Sequence, residues 1–165
     1  MDRLILFRHG KAEPDSFSGD DFDRRLQPRG QSEAAEMGER LAAQGVAVDL
    51  VLVSAAERTR ETWDALAAAF PQAEVRFEDD LYLAESAAIR RIAEAAGADR
   101  KAVMVVGHNP GLHELTLRLM LEGGADPALF SKAQRNFPTA AVALFAIGPD
   151  GRPQAEDLLL PERWA

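Results

Sequence analysis

The residues of this chain with chemical potential stand in three short groups: Arg8-His9-Gly10, Ser54 with Arg58, and His108-Asn109-Pro110-Gly111. Two arginines and two histidines brought together would make a pocket for a tetrahedral dianion. The planar guanidinium fork matches phosphate oxygens two at a time. A neutral imidazole is a competent nucleophile toward phosphorus, with attack and departure in line. Neighbouring arginine charge disfavours the imidazolium form, so His9 is expected to stay neutral and nucleophilic at physiological pH. The same arginines would stabilise charge on the transferring phosphoryl oxygens. Guanidinium groups then take the role of a metal, so neither a metal nor a cofactor is expected.

These groups need elements that bring them together across about a hundred positions. Each follows an apolar run: Leu4 to Phe7, Val48 to Val53, and Lys101 to Val106. Such runs read as short strands buried on both faces. Helical stretches alternate with them. One runs from Pro28 to a stop at Gly45. A second starts at Ser54-Ala55-Ala56-Glu57, which has the spacing of a capping box. A third is capped by Ser86, and a fourth has Asn109 as N-cap with Pro110 in the first turn. A short helix is read over Asp126 to Gln134. Further strands are read over Glu74 to Phe77, Ala140 to Ile147 and Gln154 to Leu160, the last at an edge.

This alternation predicts an α/β fold, a three-layer α/β/α sandwich around a mainly parallel central sheet, as a single domain over residues 1–165. Parallel strands put their carboxyl ends on one side, and ligands of open α/β sheets sit in the crevice there. Gly10 lets the backbone turn sharply at that rim. Arg58 lies one turn into its helix, near the positive end, a placement most easily explained by a bound anion. Lys11 to Asp23 is polar and aperiodic and reads as a loop over the rim. That loop and Gly123 to Pro138 are too short and too polar to roof a small ligand, so an open, shallow site is expected.

The bulk properties agree with an ordinary globular protein. A length of 165 residues suffices for one domain burying about 70% of its unfolded surface. A net charge of −8 argues against nucleic acid and anionic membranes as partners. The absence of cysteine excludes disulfides, thiolate chemistry and Cys-ligated metals. No apolar run approaches membrane-spanning length, and no signal-like segment opens the chain, so a cytoplasmic location is expected. Ser54 lacks a G-x-S-x-G elbow and reads as a helix cap rather than a nucleophile. His108 and His113 are five apart, about 140° around a helix, so they do not form a metal pair. Gly107 to Gly111 lacks the G-K-S/T of a phosphate-binding loop. Lys11, Arg25, Arg29 and Arg60 read as surface charges at a positive rim.

As a set, Arg8-His9-Gly10 after a buried strand, Ser54-x-x-x-Arg58-Thr59-x-x-Thr62, and Val106 to Gly111 resemble the histidine phosphatase superfamily. The short chain and the segment Asp23 to Gly30 look most like its compact SixA-type phosphohistidine phosphatases, with the phosphoglycerate mutase-like fold. The resemblance implies His9 as the phosphorylated nucleophile, with Arg8, Arg58 and His108 as the phosphate pocket. It implies Arg24 as a further basic group near the site, and Glu85 as the position where larger relatives keep an acidic donor. Ser54 is taken as a rim residue. Ala55 and Glu61 depart from the proline and glutamine common in the second motif. Lys11-Ala12-Glu13 after the first motif, and only 49 residues between Arg58 and His108, point away from sugar-phosphate mutases. The expected activity is metal-independent removal of phosphate from phosphohistidine on a signalling or phosphotransfer protein. A phosphatase of small phosphate esters, and an idle phosphoprotein-binding module on the same fold, are the alternatives.

Overall fold

The computed structural model describes residues 1–164. Six strands form one sheet: β1 (Arg3–Arg8), β2 (Leu50–Ser54), β3 (Glu74–Glu78), β4 (Ala102–Gly107), β5 (Val142–Ile147) and β6 (Pro153–Leu159), in the order β3-β2-β4-β1-β5-β6. The first four of that order are mutually parallel, and β5 runs antiparallel to both β1 and β6. The expected mainly parallel sheet is therefore present, with the last strand at an edge.

Both faces are covered, and the strands show why their sequences are continuous apolar runs. Leu4 and Leu6 of β1, Leu50 and Leu52 of β2, and Val103 and Val105 of β4 pack toward α3 (Ser86–Ala96), α4 (Gly111–Gly123) and α5 (Pro127–Arg135). Their neighbours Ile5, Phe7, Val51, Val53, Met104 and Val106 pack on the opposite face against α1 (Pro28–Ala43) and α2 (Glu57–Leu66). Alternating residues thus serve two separate cores, as strand geometry requires. The result is the expected three-layer sandwich.

Register does the positioning. Arg8 pairs with Gly107 across β1 and β4, and Val53 pairs with Val106 across β2 and β4, so the three chemical groups leave the sheet at one level. The amide of His9 extends the ladder by donating to the Gly107 carbonyl at 3.1 Å. Close approach then fixes the turn: a Cβ on Gly10 would lie 2.5 Å from the Gly30 carbonyl oxygen, and one on Gly30 would lie 2.2 Å from that of Lys11. Only hydrogen fits at either position. Among the described residues no helix is long and apolar enough to cross a membrane.

Three helix starts differ from the sequence expectation. α2 begins at Glu57 with Ala56 as N-cap, not in a capping box on Ser54. The Ser54 hydroxyl is engaged by His108 instead, and Thr59 closes the turn by donating to the carbonyls of Ser54 and Ala56 at 2.7 and 2.8 Å. Ser86 is the first residue of α3, and Glu85 holds the N-cap position without a side-chain bond. α4 starts at Gly111 with Pro110 as N-cap, because the Asn109 amide is drawn away to the Phe137 carbonyl. Asp126 does cap α5, accepting from the Ala128 amide.

Candidate functional site

A cavity of about 350 Å³ opens at the carboxyl ends of β1, β2 and β4, lined among others by Arg8, His9, Lys11, Asp21, Arg24, Arg58, Leu83, His108 and Asn109. Arg8, His9, Arg58, His108 and Arg24, singled out in the sequence, therefore share one cleft. Its floor is buried: Arg58 and His108 are each 2% exposed. Its rim is open, with Asp21 and Leu83 in contact with solvent. Two residues beside the site have positive φ without being glycine, Leu83 at 51° and Ala140 at 63°. Such strain of about 1–3 kcal/mol persists only where the surroundings enforce it. At Ala140 the enforcing contact is its amide, which donates to the His9 carbonyl at 3.0 Å.

The His9 ring is fixed in one tautomer. Its Nδ1 lies 2.7 Å from the Gly10 carbonyl oxygen, which only accepts, so Nδ1 carries the hydrogen. Nε2 then carries the ring's lone pair, which accepts a long hydrogen bond from Arg58 Nε at 3.4 Å. Burial, with the charges of His108, Arg8 and Arg58 behind it, pushes His9 well below the usual imidazole value, against an upward pull from the Gly10 bond. His108 is pushed down to about 3 by burial and then by the charge of Arg58. Both rings are neutral at physiological pH.

This has a measurable consequence. In 15N NMR the rings of His9 and His108 are expected to keep neutral-imidazole shifts from about pH 8 to about pH 5, whereas an unperturbed histidine titrates near 6.5. A midpoint near that value for either ring would contradict the burial. The unfolded chain takes up protons at these positions below about pH 6.5 and the folded chain does not. Stability is therefore intact above that pH and falls as the pH drops, by up to about 1.4 kcal/mol per unit for each ring. For His108 the loss is complete near its folded value of about 3.

The two histidine rings lie 5.4 Å apart between centroids. His108 is held by Ser54, with Nε2 and Oγ hydrogen-bonded at 2.7 Å, while its buried Nδ1 has no partner. Ser54 thus lies behind the histidine, fully buried, and does not line the cavity. Arg8 donates through Nη1 to the Phe137 carbonyl at 3.0 Å, beside the Asn109 amide on the same oxygen, and its buried Nε is unpartnered. Unpaired buried donors and acceptors are costly, and their concentration at one cleft favours an oxygen-rich ligand there.

Arg58 departs from the sequence reading in one respect. Its fork is not free: Nη1 donates to the Asp21 backbone oxygen at 2.9 Å and Nη2 to Asp21 Oδ2 at 3.0 Å. It ties the rim loop to α2 and presents only Nε to His9. The loop is further closed by Glu61, one of the two departures from the family pattern, whose carboxylate accepts the Leu26 amide at 2.8 Å. Thr62 accepts the Gly10 amide at 3.0 Å and donates to the Arg58 carbonyl, linking the first motif to the second.

Glu85 is not brought to the cleft. It is exposed, in the N-cap position of α3, and absent from the lining. The carboxylate that does reach the cavity is Asp21, missed in the sequence because nothing in its aperiodic acidic loop distinguishes it from Asp20 or Asp23. Burial pulls the Asp21 carboxyl upward, but hydrogen bonds from Tyr82 and Arg24 and the charge of Arg58 outweigh it and hold the group ionised, well below the usual carboxylate range. Lys11 lines the cleft, while Arg60 stacks over Phe77 and Arg29 pairs with Glu33. His113 is structural: its Nε2 lies 2.7 Å from the Ala133 carbonyl oxygen and its ring stacks on Phe137.

Fold and cleft together define an α/β protein with arginines and histidines gathered at the carboxyl ends of its parallel strands. A family model described as histidine phosphatase superfamily, branch 1, matches residues 4–82. An uncharacterized protein of Mycobacterium tuberculosis is 36% identical over 141 residues, covering 85% of this chain and 86% of that protein. The proposed phosphohistidine phosphatase SixA of Agrobacterium tumefaciens superposes with a TM-score of 0.83 at 30% identity, over 97% of this chain and 99% of that one. Its counterpart from Nakamurella multipartitia gives 0.83 at 29% identity, over 98% and 96%. The chain belongs to the histidine phosphatase superfamily.

Proposed function

We propose that this protein is a metal-independent phosphohistidine phosphatase, with His9 accepting the phosphoryl group before water removes it. The observation that carries the reading is the state of His9: a neutral ring, Nδ1–H held by the Gly10 carbonyl, and an unprotonated Nε2 that accepts a long bond from Arg58. Attack by that lone pair on phosphorus places the phosphoryl group among Arg8, Arg58, Arg24 and His108. An oxygen of the bound group gives the unpartnered Arg8 Nε or His108 Nδ1 the hydrogen-bond partner it lacks. Guanidinium charge then stabilises the transferring oxygens.

The choice of a P–N over a P–O substrate rests on the carboxyl groups. An alkyl ester needs a proton donor at its leaving oxygen. Asp21 is the only acidic residue lining the cleft among the described residues, and it is held ionised. The names of the Agrobacterium and Nakamurella proteins support the same substrate class. The open rim suits a phosphorylated side chain presented by another protein.

The test is a comparison of kcat/KM on a phosphohistidine peptide, p-nitrophenyl phosphate and a panel of alkyl phosphates, with and without EDTA. Phosphohistidine is expected to lead the alkyl esters by at least about 100-fold, the lower end of what a missing general acid costs, and EDTA to change nothing. A small ester as the best substrate, or loss of activity in EDTA, would overturn the reading. Absence of turnover on every substrate would leave a binding module.

A further inference from the structure

Resting on the phosphohistidine reading above, we propose that Asp21 determines substrate specificity: its carboxylate receives the free ring N–H of the substrate imidazole and so favours cleavage of P–N over P–O bonds. Asp21 stands across Arg58 from His9, on the loop that borders the cleft. Oδ2 accepts from Arg58 Nη2 at 3.0 Å and from the Tyr82 hydroxyl at 2.5 Å, and Oδ1 accepts from Arg24 Nε at 2.9 Å. A carboxylate has about four acceptor sites, so Oδ1 keeps one open. The side chain is 45% exposed and within reach of a group entering the cleft.

A carboxylate is an odd component of an anion site, because it cancels part of the arginine charge that would hold phosphate. It is not needed to tether the loop either, since Arg58 Nη1 already binds the Asp21 backbone oxygen. The arrangement makes sense for a ligand that carries a positive group beside its phosphoryl group. Phosphohistidine with a hydrogen on its second ring nitrogen is such a ligand.

The chemistry follows the electrons. As the His9 Nε2 lone pair forms the new bond to phosphorus, the substrate P–N bond breaks and its pair stays on the ring nitrogen. With the second nitrogen protonated, the ring departs as neutral imidazole and no proton moves. Without that hydrogen it departs as imidazolate, a poor leaving group. An alkyl ester departs as alkoxide, which ionised Asp21 cannot protonate. His9 is built the same way, with Nδ1–H on the Gly10 carbonyl. When a water oxygen attacks phosphorus, the P–Nε2 pair returns to His9, which departs neutral, and the water gives up one proton to solvent. Two imidazoles thus exchange one phosphoryl group, each with its N–H on an oxygen, Gly10 for the enzyme and Asp21 for the substrate.

The test measures kcat/KM on a phosphohistidine peptide and on p-nitrophenyl phosphate for wild type, Asp21→Asn and Asp21→Ser. The ratio of the two substrates is expected to fall about 10- to 150-fold in both variants, the worth of a hydrogen bond to a charged group. The groups facing Asp21 are Arg24, Arg58, Tyr82 and His108; burial and the charge of Arg58 hold His108 down to about 3, and burial and the bond to Asp21 push Tyr82 upward. The deficit on phosphohistidine is therefore expected to shrink toward pH 5, where the substrate ring holds its proton unaided. General damage to the loop lowers both substrates together and leaves the ratio unchanged, and phosphate binding by each variant reports an intact cleft. An unchanged ratio, in either folded variant, overturns this assignment alone. A wild type inactive on phosphohistidine but active on esters overturns the substrate class and this assignment with it.

Discussion

His9→Ala is expected to abolish turnover while phosphate still binds. The substitution removes the Nε2 lone pair that Arg58 Nε faces at 3.4 Å, so by the proposed mechanism no covalent intermediate can form. Loss of the nucleophile in a comparable covalent mechanism costs on the order of 10⁶-fold in kcat, and a fall of about 10⁴ or more is expected here. The groups that would bind the anion stay: Arg8, Arg24, Arg58 and His108 come from other positions on β1, the rim loop, α2 and the β4 end. Phosphate or vanadate affinity, read by calorimetry, should stay within about tenfold of wild type. Rapid quenching with a labelled phosphoryl donor should give an acid-labile label on the wild type and none on the variant. Turnover within about tenfold of wild type would place the nucleophile elsewhere.

Arg58→Lys is expected to be nearly as damaging as Arg58→Ala. Arg58 acts in three directions at once: Nη1 to the Asp21 backbone, Nη2 to its carboxylate and Nε toward His9 Nε2. Lysine keeps the charge but offers one compact ammonium, which cannot span these positions. Losing a single hydrogen bond to a charged group costs about 1.5–3 kcal/mol, or roughly 10- to 150-fold, and the lysine variant loses more than one. The measurement is kcat/KM of both variants on the best substrate. A lysine variant within about threefold of wild type would mean that charge alone suffices and that neither the loop tether nor the directed contact to His9 matters.

Much of this molecule was legible because its strands are short and buried on both sides. Runs such as Leu4 to Phe7 and Val51 to Val53 carry no polar residue, and only a sheet covered by helices on both faces tolerates that. Once the parallel sheet was read, Arg8, His9, Arg58 and His108 had to meet at its carboxyl edge, and they do. Helix ends were less legible, since a side chain that fits a cap also fits other partners. Ser54 had the right spacing for a capping box, yet its hydroxyl finds His108, fifty-four positions away, and the helix starts without it. Asn109 likewise reaches Phe137.

The acidic partner of the site was not legible at all. Glu85 stood where a donor was expected, but it holds the N-cap position of α3, exposed to solvent and outside the lining of the cleft. Asp21 enters instead, from a loop without period, because Arg58, Arg24 and Tyr82 converge on it from three separate segments. By itself the sequence determined which residue types could handle a phosphoryl group and which strands would carry them, because apolar patterning is local and strongly biased. Which carboxylate faces the cleft, which nitrogen of His9 is unprotonated, and where the fork of Arg58 is engaged were decided by tertiary structure. The carboxylate and the fork depend on hydrogen bonds between groups tens of residues apart, and the His9 tautomer on a turn at Gly10 that the distant Thr62 and Gly30 hold in place.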